Sequence, residues 1–318
     1  MNQSSQLIGN TPFIKITYQY KNEIRYLFTK LEYFNLTGSI KDRMADYIIK
    51  KAYQEGTLKE RQPIIEATSG NTGISFAAIG AYYHHPVHIF MPDWVSQERI
   101  KIMQMYGADV HLVSRAEGGF QEAIKRADQL AEEIDGFRPD QFNNFDNIQV
   151  HYETTGKEIT EQLTDLDAFV SGIGTGGTLM GVGKRLKEYF PAMKLIALEP
   201  DDLPLLTTGN VSGDHKIEGI GDDFIPSIVD KTKIDQVICI DDEDAINMAR
   251  LLARGLGLSV GISSGANFLA AVLSGYKTVA TVFPDDGKKY ISTELSHDID
   301  HNETFISNQI VLLNMEEV

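Results

Sequence analysis

The sequence predicts an α/β protein of two domains, in which mainly parallel sheets are flanked by helices. Short runs of strand type alternate with helical patterns of about 10–15 residues almost throughout the chain, and this alternation is typical of parallel sheets covered on both faces. The length of 318 residues suggests two domains. Three glycine-rich turns are each predicted to follow a strand and to open a helix. Sheets of this kind bind ligands at the carboxyl ends of their strands.

The first half of the chain alternates regularly between the two element types. Runs rich in β-branched and aromatic residues predict the strands, and apolar residues at helical spacing predict the helices. The helix that begins at residue 43 is expected to end at Gly56, since glycine readily closes a helix. The predicted strands are 25–33, 63–68, 87–92 and 109–113, and the predicted helices are 43–56, 73–85, 96–108 and 120–134.

The second half continues the alternation. The acidic stretch IDDEDA is expected to cap the helix after it, because Asp and Glu suit a helix N-terminus. Cys239 lies just before it in an alternating run, which favours a thiol buried in a strand over a catalytic thiol. The predicted strands are 168–174, 194–200 and 278–284, and the predicted helices are 179–190, 243–257 and 266–275.

Charge and composition exclude several classes of partner. Lys and Arg total 29 against 45 Asp and Glu, for a formal net charge of −16, so nucleic acids and anionic membranes would be repelled. The single cysteine permits no internal disulfide, which suits a reducing compartment. No signal peptide is recognisable, and no apolar run approaches the ~20 residues of a membrane span. A cytoplasmic protein is therefore expected.

The first glycine-rich turn, EATSGNTGISF at 66–76, carries more polar groups than a helix cap needs. Four polar side chains stand around two glycines just before an apolar helix. Hydroxyl, amide and backbone N–H groups at a helix N-terminus can hold a carboxylate or a phosphate, whereas an ordinary cap needs one such residue. The four residues are Thr68, Ser69, Asn71 and Thr72.

The second turn, SGIGTGGTLMGVG at 171–183, is suited to close approach by an anion. It lacks the GxGxxG pattern of dinucleotide sites and the GK[ST] of nucleoside triphosphate sites, so a small phosphate-bearing cofactor is favoured. The third turn, at 260–271, places Ser263 and Ser264 at a predicted strand end before a helix and is a weaker signal. Together the three turns would line one edge of one sheet.

Lys41, in the stretch NLTGSIKDR, is a candidate reactive residue beside the three glycine-rich turns. A lysine amine with an ordinary pKa near 10.4 is a poor nucleophile at neutral pH, but it can act covalently as a Schiff base. A phosphate cradle, a carboxylate cradle and one positioned lysine are what pyridoxal phosphate chemistry on an amino acid requires. The alternative is an ordinary surface lysine.

With these residues in view, the whole chain resembles the cysteine synthase and cystathionine β-synthase family of fold-type II pyridoxal-phosphate enzymes. The resemblance implies a fold like that of the tryptophan synthase β chain. It also implies a small mobile domain at 42–150, and a large cofactor-binding domain formed by 1–41 and 151–318. The matching stretches, in family order from about residue 7 to 293, are IGNTPFIKI, GSIKDR, TSGNTG, QFNN, GTGGTLMGVG, EGIGDDFIP, GISSGA and PDDGKKYIST.

The resemblance also implies roles for particular residues. Lys41 would form the Schiff base with pyridoxal 5'-phosphate and then move the substrate's α-proton. Asn71 would bond the cofactor's phenolic oxygen, and Ser263 would face its pyridine nitrogen. The phosphate would be held by Gly174, Thr175, Gly176, Gly177 and Thr178. The substrate carboxylate would be held by Thr68, Ser69, Thr72 and Gln141.

Two departures from the family pattern bear on specificity. The lysine usually follows a proline-glycine-glycine turn, whereas here it follows Leu36-Thr37-Gly38. After GIG, where small or aromatic residues are usual, the chain has Asp222 and Asp223. A carboxylate there would repel hydrosulfide and could take a proton from water. We hypothesise that Asp222 is an acid/base group and Asp223 structural; the alternative is an Asp222 turned to solvent.

The resemblance implies β-elimination or β-replacement on a serine- or cysteine-type amino acid, and the expected reaction is that of a cysteine synthase, which forms cysteine from O-acetylserine and sulfide. The alternative is a cysteine-degrading lyase that releases sulfide and forms serine, with water as the nucleophile and Asp222 as the base. Deamination is a third outcome. An inactive cofactor-sensing or binding protein is the alternative of another class. A homodimer is implied, and docking of an acetyltransferase is undecided.

No metal site is predicted. The pair of histidines in YYHH lacks a carboxylate or thiol at ligand spacing, and a solvated helix end is favoured there.

Overall fold

The computed structural model describes residues 7–297 and 302–318. Within these residues the predicted alternation of strands and helices is confirmed. The strands are β1 Phe13–Tyr20, β2 Glu23–Leu31, β3 Ile64–Ala67, β4 Val87–Pro92, β5 Asp109–Val113, β6 Ala168–Gly172, β7 Lys194–Pro200, β8 Gln236–Ile240, β9 Thr278–Phe283 and β10 Ile310–Glu317. The helices are α1 Lys41–Glu55, α2 Asn71–Tyr82, α3 Gln97–Met105, α4 Gly119–Glu133, α5 Asp146–Glu153, α6 Thr155–Gln162, α7 Gly177–Tyr189, α8 Leu205–Thr208, α9 Asp242–Leu256 and α10 Ile262–Leu273.

The described strands form two sheets. The larger has the order β10-β1-β2-β9-β6-β7-β8, and the smaller has the order β3-β4-β5. All pairs in the smaller sheet are parallel, as are the pairs from β2 to β8 in the larger one. The antiparallel edge formed by β10, β1 and β2 was not predicted.

Helices cover both faces of each sheet. Apolar side chains of α9 and α10 pack on one face of the larger sheet, and those of α7 pack on the other. The smaller sheet has α1, α2 and α3 on one face and α4 on the other. Because both faces are buried, the central strands are mostly apolar on both faces, as in Ala168 to Val170 of β6, which are fully buried. The boundaries of the two domains stay a prediction.

Several local predictions are confirmed by the geometry of the helix ends. Gly56 closes α1 in the left-handed conformation, with φ of 72°. Asp241 caps α9, because its side chain accepts a hydrogen bond from the backbone N–H of Asp244. Among the described residues, no helix is both long and apolar enough to cross a membrane.

Three local predictions need correction. No strand precedes the third glycine-rich turn: Val260 forms only an isolated bridge, and Ser263 lies in the first turn of α10. His84 is exposed as expected, but the adjacent His85 is buried. Its Nε2 lies 2.6 Å from the Tyr53 hydroxyl, so this end of α2 is not simply solvated. Cys239 lies on β8, at a sheet edge, and is only half-buried.

A buried ionic cluster joins α1 to the larger sheet and to α6. The guanidinium of Arg43 donates to both carboxylate oxygens of Glu32, at 2.7 and 2.8 Å, and to both of Glu158, at 2.6 and 2.8 Å. Lys30 also lies 2.8 Å from Glu158. Bidentate pairs of this kind fix orientation as well as charge. The cluster therefore fixes the start of α1, where Lys41 stands.

We expect Arg43→Met to lower the free energy of unfolding by about 3–5 kcal/mol, because it leaves the buried carboxylate of Glu32 without an ionic partner and leaves Glu158 with Lys30 alone. Urea denaturation at pH 7 measures this. Arg25→Met is the matched control, since Arg25 pairs with the exposed Glu23 and an exposed pair contributes at most about 1 kcal/mol. Equal losses in the two variants would contradict the role assigned to the cluster.

Candidate active site

One cleft brings together almost all the residues that the sequence analysis singled out. It lies at the carboxyl ends of strands from both sheets, as expected for open parallel sheets. Of the predicted site residues, Gly177 alone does not line it. Those that do are Lys41, Thr68, Ser69, Asn71, Thr72, Gln141, Gly174, Thr175, Gly176, Thr178, Asp222 and Ser263.

Lys41 is the first residue of α1, and a tight turn places it there. Gly38 has φ of +79°, a conformation in which a Cβ is strained. The Thr37 hydroxyl donates to the Asp42 carboxylate at 2.6 Å, and the Thr37 N–H donates to it at 2.7 Å. The unusual threonine therefore ties the turn to the residue next to the lysine.

The environment of Lys41 favours its neutral form. Burial lowers the pKa of the Lys41 amine, while the carboxylates of Asp222 and Asp285 act in the opposite direction. A lysine with a lowered pKa has a larger fraction of free amine at neutral pH. Only the free amine can attack a carbonyl carbon, so this position suits a nucleophilic lysine.

The second glycine-rich turn forms a cradle at the N-terminus of α7. Gly176 has φ of +85°, and the first N–H groups of the helix have no acceptor within it. A Cβ on Gly177 would overlap the Asn147 side chain, so glycine is required there. The Thr175 hydroxyl accepts a hydrogen bond from Asn147 Nδ2 at 2.9 Å. Free N–H groups and hydroxyls at a helix N-terminus fit a phosphate group.

Two further side chains are placed for the ring of such a cofactor. Asn71 Nδ2 donates to Asp285 Oδ2 at 2.8 Å, and Asn71 Oδ1 accepts from Lys289 Nζ at 2.8 Å. The amide nitrogen has a second N–H, which remains able to donate to a ligand. Ser263 is buried in the first turn of α10, on another wall of the same cleft. The residues present therefore fit pyridoxal phosphate.

The residues predicted to hold a substrate carboxylate lie together at the N-terminus of α2. The Thr72 hydroxyl donates to Gln141 Oε1 at 2.6 Å, and Gln141 Nε2 donates to the Ala67 carbonyl at 2.8 Å. The Thr68 hydroxyl accepts from the Gly70 N–H at 2.9 Å. These bonds fix the side chains before a ligand arrives, so little ordering is needed on binding.

Asp222 and Asp223 have different surroundings although they are neighbours. Asp222 lines the cleft described above, here called the inner cleft. It also lines a wider outer cavity, whose walls include Trp94, Phe120 and His215, so Asp222 lies where the two meet. Burial and the negative charge of Asp223 raise the pKa of Asp222 to about 7, although Lys41 acts to lower it. Asp223 is exposed and accepts a hydrogen bond from Gln121 Nε2 at 3.0 Å.

An ion pair that was not predicted from the sequence crosses the cleft. Arg99, in the first turn of α3, pairs with Glu218, and both line the cleft. The guanidinium also lies over the ring of Tyr290, 4.5 Å from its centroid, and 3.8 Å from Asp285. Arg99 resembled one polar position of an amphipathic helix. The available signal was its place just after a strand end, at the same sheet edge as the glycine-rich turns.

Comparison with known proteins agrees with this geometry. A family model described as pyridoxal-phosphate dependent enzyme matches residues 4–285. A cysteine synthase of Staphylococcus aureus is 41% identical over 298 residues, which cover 92% of this chain and 96% of the relative.

Two solved structures show how closely the fold is shared. A hydrogen sulfide-producing enzyme of Fusobacterium nucleatum has 47% sequence identity and a TM-score of 0.94, covering 99% of this chain and 98% of its own. A cysteine synthase of Entamoeba histolytica has 34% identity and a TM-score of 0.87, covering 97% and 95%.

Proposed function

The chain belongs to the family of pyridoxal-phosphate dependent enzymes, and on this premise we propose that it releases sulfide from L-cysteine and uses water to form serine. β-Replacement or β-elimination on serine- or cysteine-type substrates is common to the relatives and to this chain. The overall reaction converts L-cysteine and water to serine and hydrogen sulfide.

The position of Asp222 carries the proposal. Asp222 lines both the inner cleft and the outer cavity, and its pKa of about 7 suits a group that exchanges protons at neutral pH. The same negative charge disfavours an approaching hydrosulfide ion. A cysteine synthase must admit that ion, so the carboxylate supports water as the nucleophile.

The other residues bind and orient the substrate. Pyridoxal phosphate, when bound, supplies a ring that withdraws electron density from the substrate's Cα, so that the α-proton and the β-substituent can leave. The Lys41 amine would take the α-proton, and its lowered pKa leaves it able to do so. The second N–H of the Gln141 amide would bind the carboxylate, and the Thr72 hydroxyl would turn its proton from Gln141 Oε1 to the carboxylate when the substrate arrives. The Asp222 carboxylate would then take a proton from the attacking water.

The name of the Fusobacterium nucleatum neighbour, a hydrogen sulfide-producing enzyme, supports the same direction. The second candidate is cysteine synthesis from O-acetylserine and sulfide, which the name of the Staphylococcus aureus relative favours. A homodimer and a cytoplasmic setting are also proposed, and light scattering of the purified protein checks the first of these.

A paired assay tests the proposed direction. The holoenzyme is incubated with L-cysteine alone, and sulfide and serine are both measured; a parallel reaction measures cysteine formed from O-acetylserine and sulfide. We expect sulfide and serine in equal amounts, at a higher rate than cysteine formation. Rapid cysteine formation with negligible sulfide release would instead establish a cysteine synthase. Pyruvate and ammonia in place of serine would exclude water as the second nucleophile.

A further inference from the structure

A cluster of two imidazoles and a carboxylate lies on the smaller sheet, away from the cleft. His88 is on β4, and Asp109 and His111 are on the edge strand β5. The parallel register places His88 opposite Asp109 and Phe90 opposite His111. Because side chains two residues apart on a strand share a face, the three side chains point the same way.

The three ligand atoms form a nearly equilateral triangle. His88 Nδ1 lies 3.4 Å from His111 Nε2 and 3.5 Å from Asp109 Oδ2, and His111 Nε2 lies 3.3 Å from Asp109 Oδ2. Zinc bonds histidine nitrogen and carboxylate oxygen at about 2.0–2.2 Å, so two ligands of a tetrahedral ion stand about 3.3–3.5 Å apart. All three separations therefore fit one face of a tetrahedron.

The side chains are held in place but remain accessible. The His111 ring stacks on Phe90, with centroids 4.4 Å apart and planes 14° apart, which fixes its orientation. The side chains of His88, Asp109 and His111 keep 23%, 64% and 35% of their surface exposed. A small ion can thus reach the triangle, and a water molecule can take a fourth position.

This cluster is separate from the active site. None of its three residues lines the cleft. Asp109 is the first residue of β5 and His88 the second of β4, whereas the cleft lies at the carboxyl ends of the strands. The cluster therefore occupies the opposite end of the sheet, and binding there can be measured independently of catalysis.

We propose that His88, Asp109 and His111 form a binding site for a divalent transition-metal ion of the zinc class. Two imidazoles, one carboxylate and an open fourth position suit Zn²⁺ and its tetrahedral analogue Co²⁺. The bound ion joins β4 to the edge strand β5 and stabilises the folded chain by mass action. No metal was predicted from the sequence, because the two histidines are 23 positions apart along the chain and only the strand register brings them together.

Titration of the chelator-treated holoenzyme with Zn²⁺, in the absence of cysteine and sulfide, tests the proposal. Isothermal titration calorimetry gives the stoichiometry and affinity. We expect one tight site per chain in the wild type. His111→Asn, which removes one ligand, should weaken it by about 100-fold or more, because even the loss of a residue that supports a ligand weakens metal binding by 10–100-fold.

Two further variants make the result specific. His84→Asn is the matched control: His84 is an exposed histidine outside the cluster, and its variant should bind Zn²⁺ as the wild type does. Asp109→Asn removes an exposed carboxylate without disturbing the core and should also weaken binding. The midpoint of thermal unfolding should rise with Zn²⁺ in the wild type and in His84→Asn alone. Binding that is equally tight in His111→Asn and Asp109→Asn, or no binding by the wild type, would overturn the proposal.

Discussion

Asp222→Asn is expected to lower sulfide release from L-cysteine by about 10²–10⁴-fold, the usual contribution of a positioned general base. Asparagine keeps the size of the side chain and its place between the cleft and the outer cavity, but it cannot take a proton from water. The phosphate cradle and Lys41 are unchanged, so cofactor content should equal that of the wild type. Steady-state sulfide release and the cofactor absorbance measure the two quantities.

The adjacent carboxylate provides the matched control. Asp223 is exposed and bonds Gln121, so Asp223→Asn removes the same charge one residue away without removing the proposed base. We expect this variant to keep the plateau rate of the wild type. If Asp222→Asn also keeps that rate, water is activated by another group and the proposed role of Asp222 is wrong.

The pH profile separates a base from a purely structural carboxylate. Because the pKa of Asp222 is raised to about 7, its carboxyl is neutral below that pH and ionised above it. Sulfide release should therefore increase as the pH rises through about 7 and then level off. The Asp223 charge contributes to the raised pKa, so Asp223→Asn should move this rise to lower pH. In Asp222→Asn the rise should be absent.

Much of the site follows from short stretches of sequence, because its parts are local. A glycine-rich turn followed by an apolar helix specifies a helix N-terminus, and the structure has one at Asn71 and one at Gly177. The position of Lys41 at the start of α1 is likewise local, since Gly38 permits the turn before that helix. The parallel sheets follow from short, mostly apolar strands that alternate with helices along the chain.

Other features depend on contacts between distant parts of the chain. Arg99 and Glu218 are 119 residues apart, and each has an ordinary local setting. Asp222 and Asp223 are adjacent, and only the path of the loop decides which of them enters the cleft. Strand β10 was missed although it begins with four apolar residues, because nothing in that run indicates that it pairs with β1, near the other end of the chain. In each case tertiary packing determines which residues meet, and the local sequence contains little information about such distant contacts.

Lys41→Ala is expected to lower sulfide release by about 10³-fold or more, because it removes the one amine to which we assign both the bond to the cofactor's aldehyde carbon and the transfer of the α-proton. The neighbouring amine of Lys289 is already engaged, since it donates to Asn71 Oδ1 at 2.8 Å and to the Gly38 carbonyl at 3.1 Å. It is therefore not positioned to replace Lys41.

Borohydride treatment followed by mass spectrometry of the denatured chain tests the covalent role directly. The wild type is expected to be yellow, to lose that colour on reduction and to retain the cofactor's mass on the peptide that contains Lys41. Lys41→Ala should retain no such mass. Lys50→Ala, on the outer side of the same helix where Lys50 pairs with Asp46, is the matched control and should behave as the wild type does. Retention of the cofactor on another lysine of an active Lys41→Ala variant would disprove the role of Lys41, and Lys289 would then be the residue to replace.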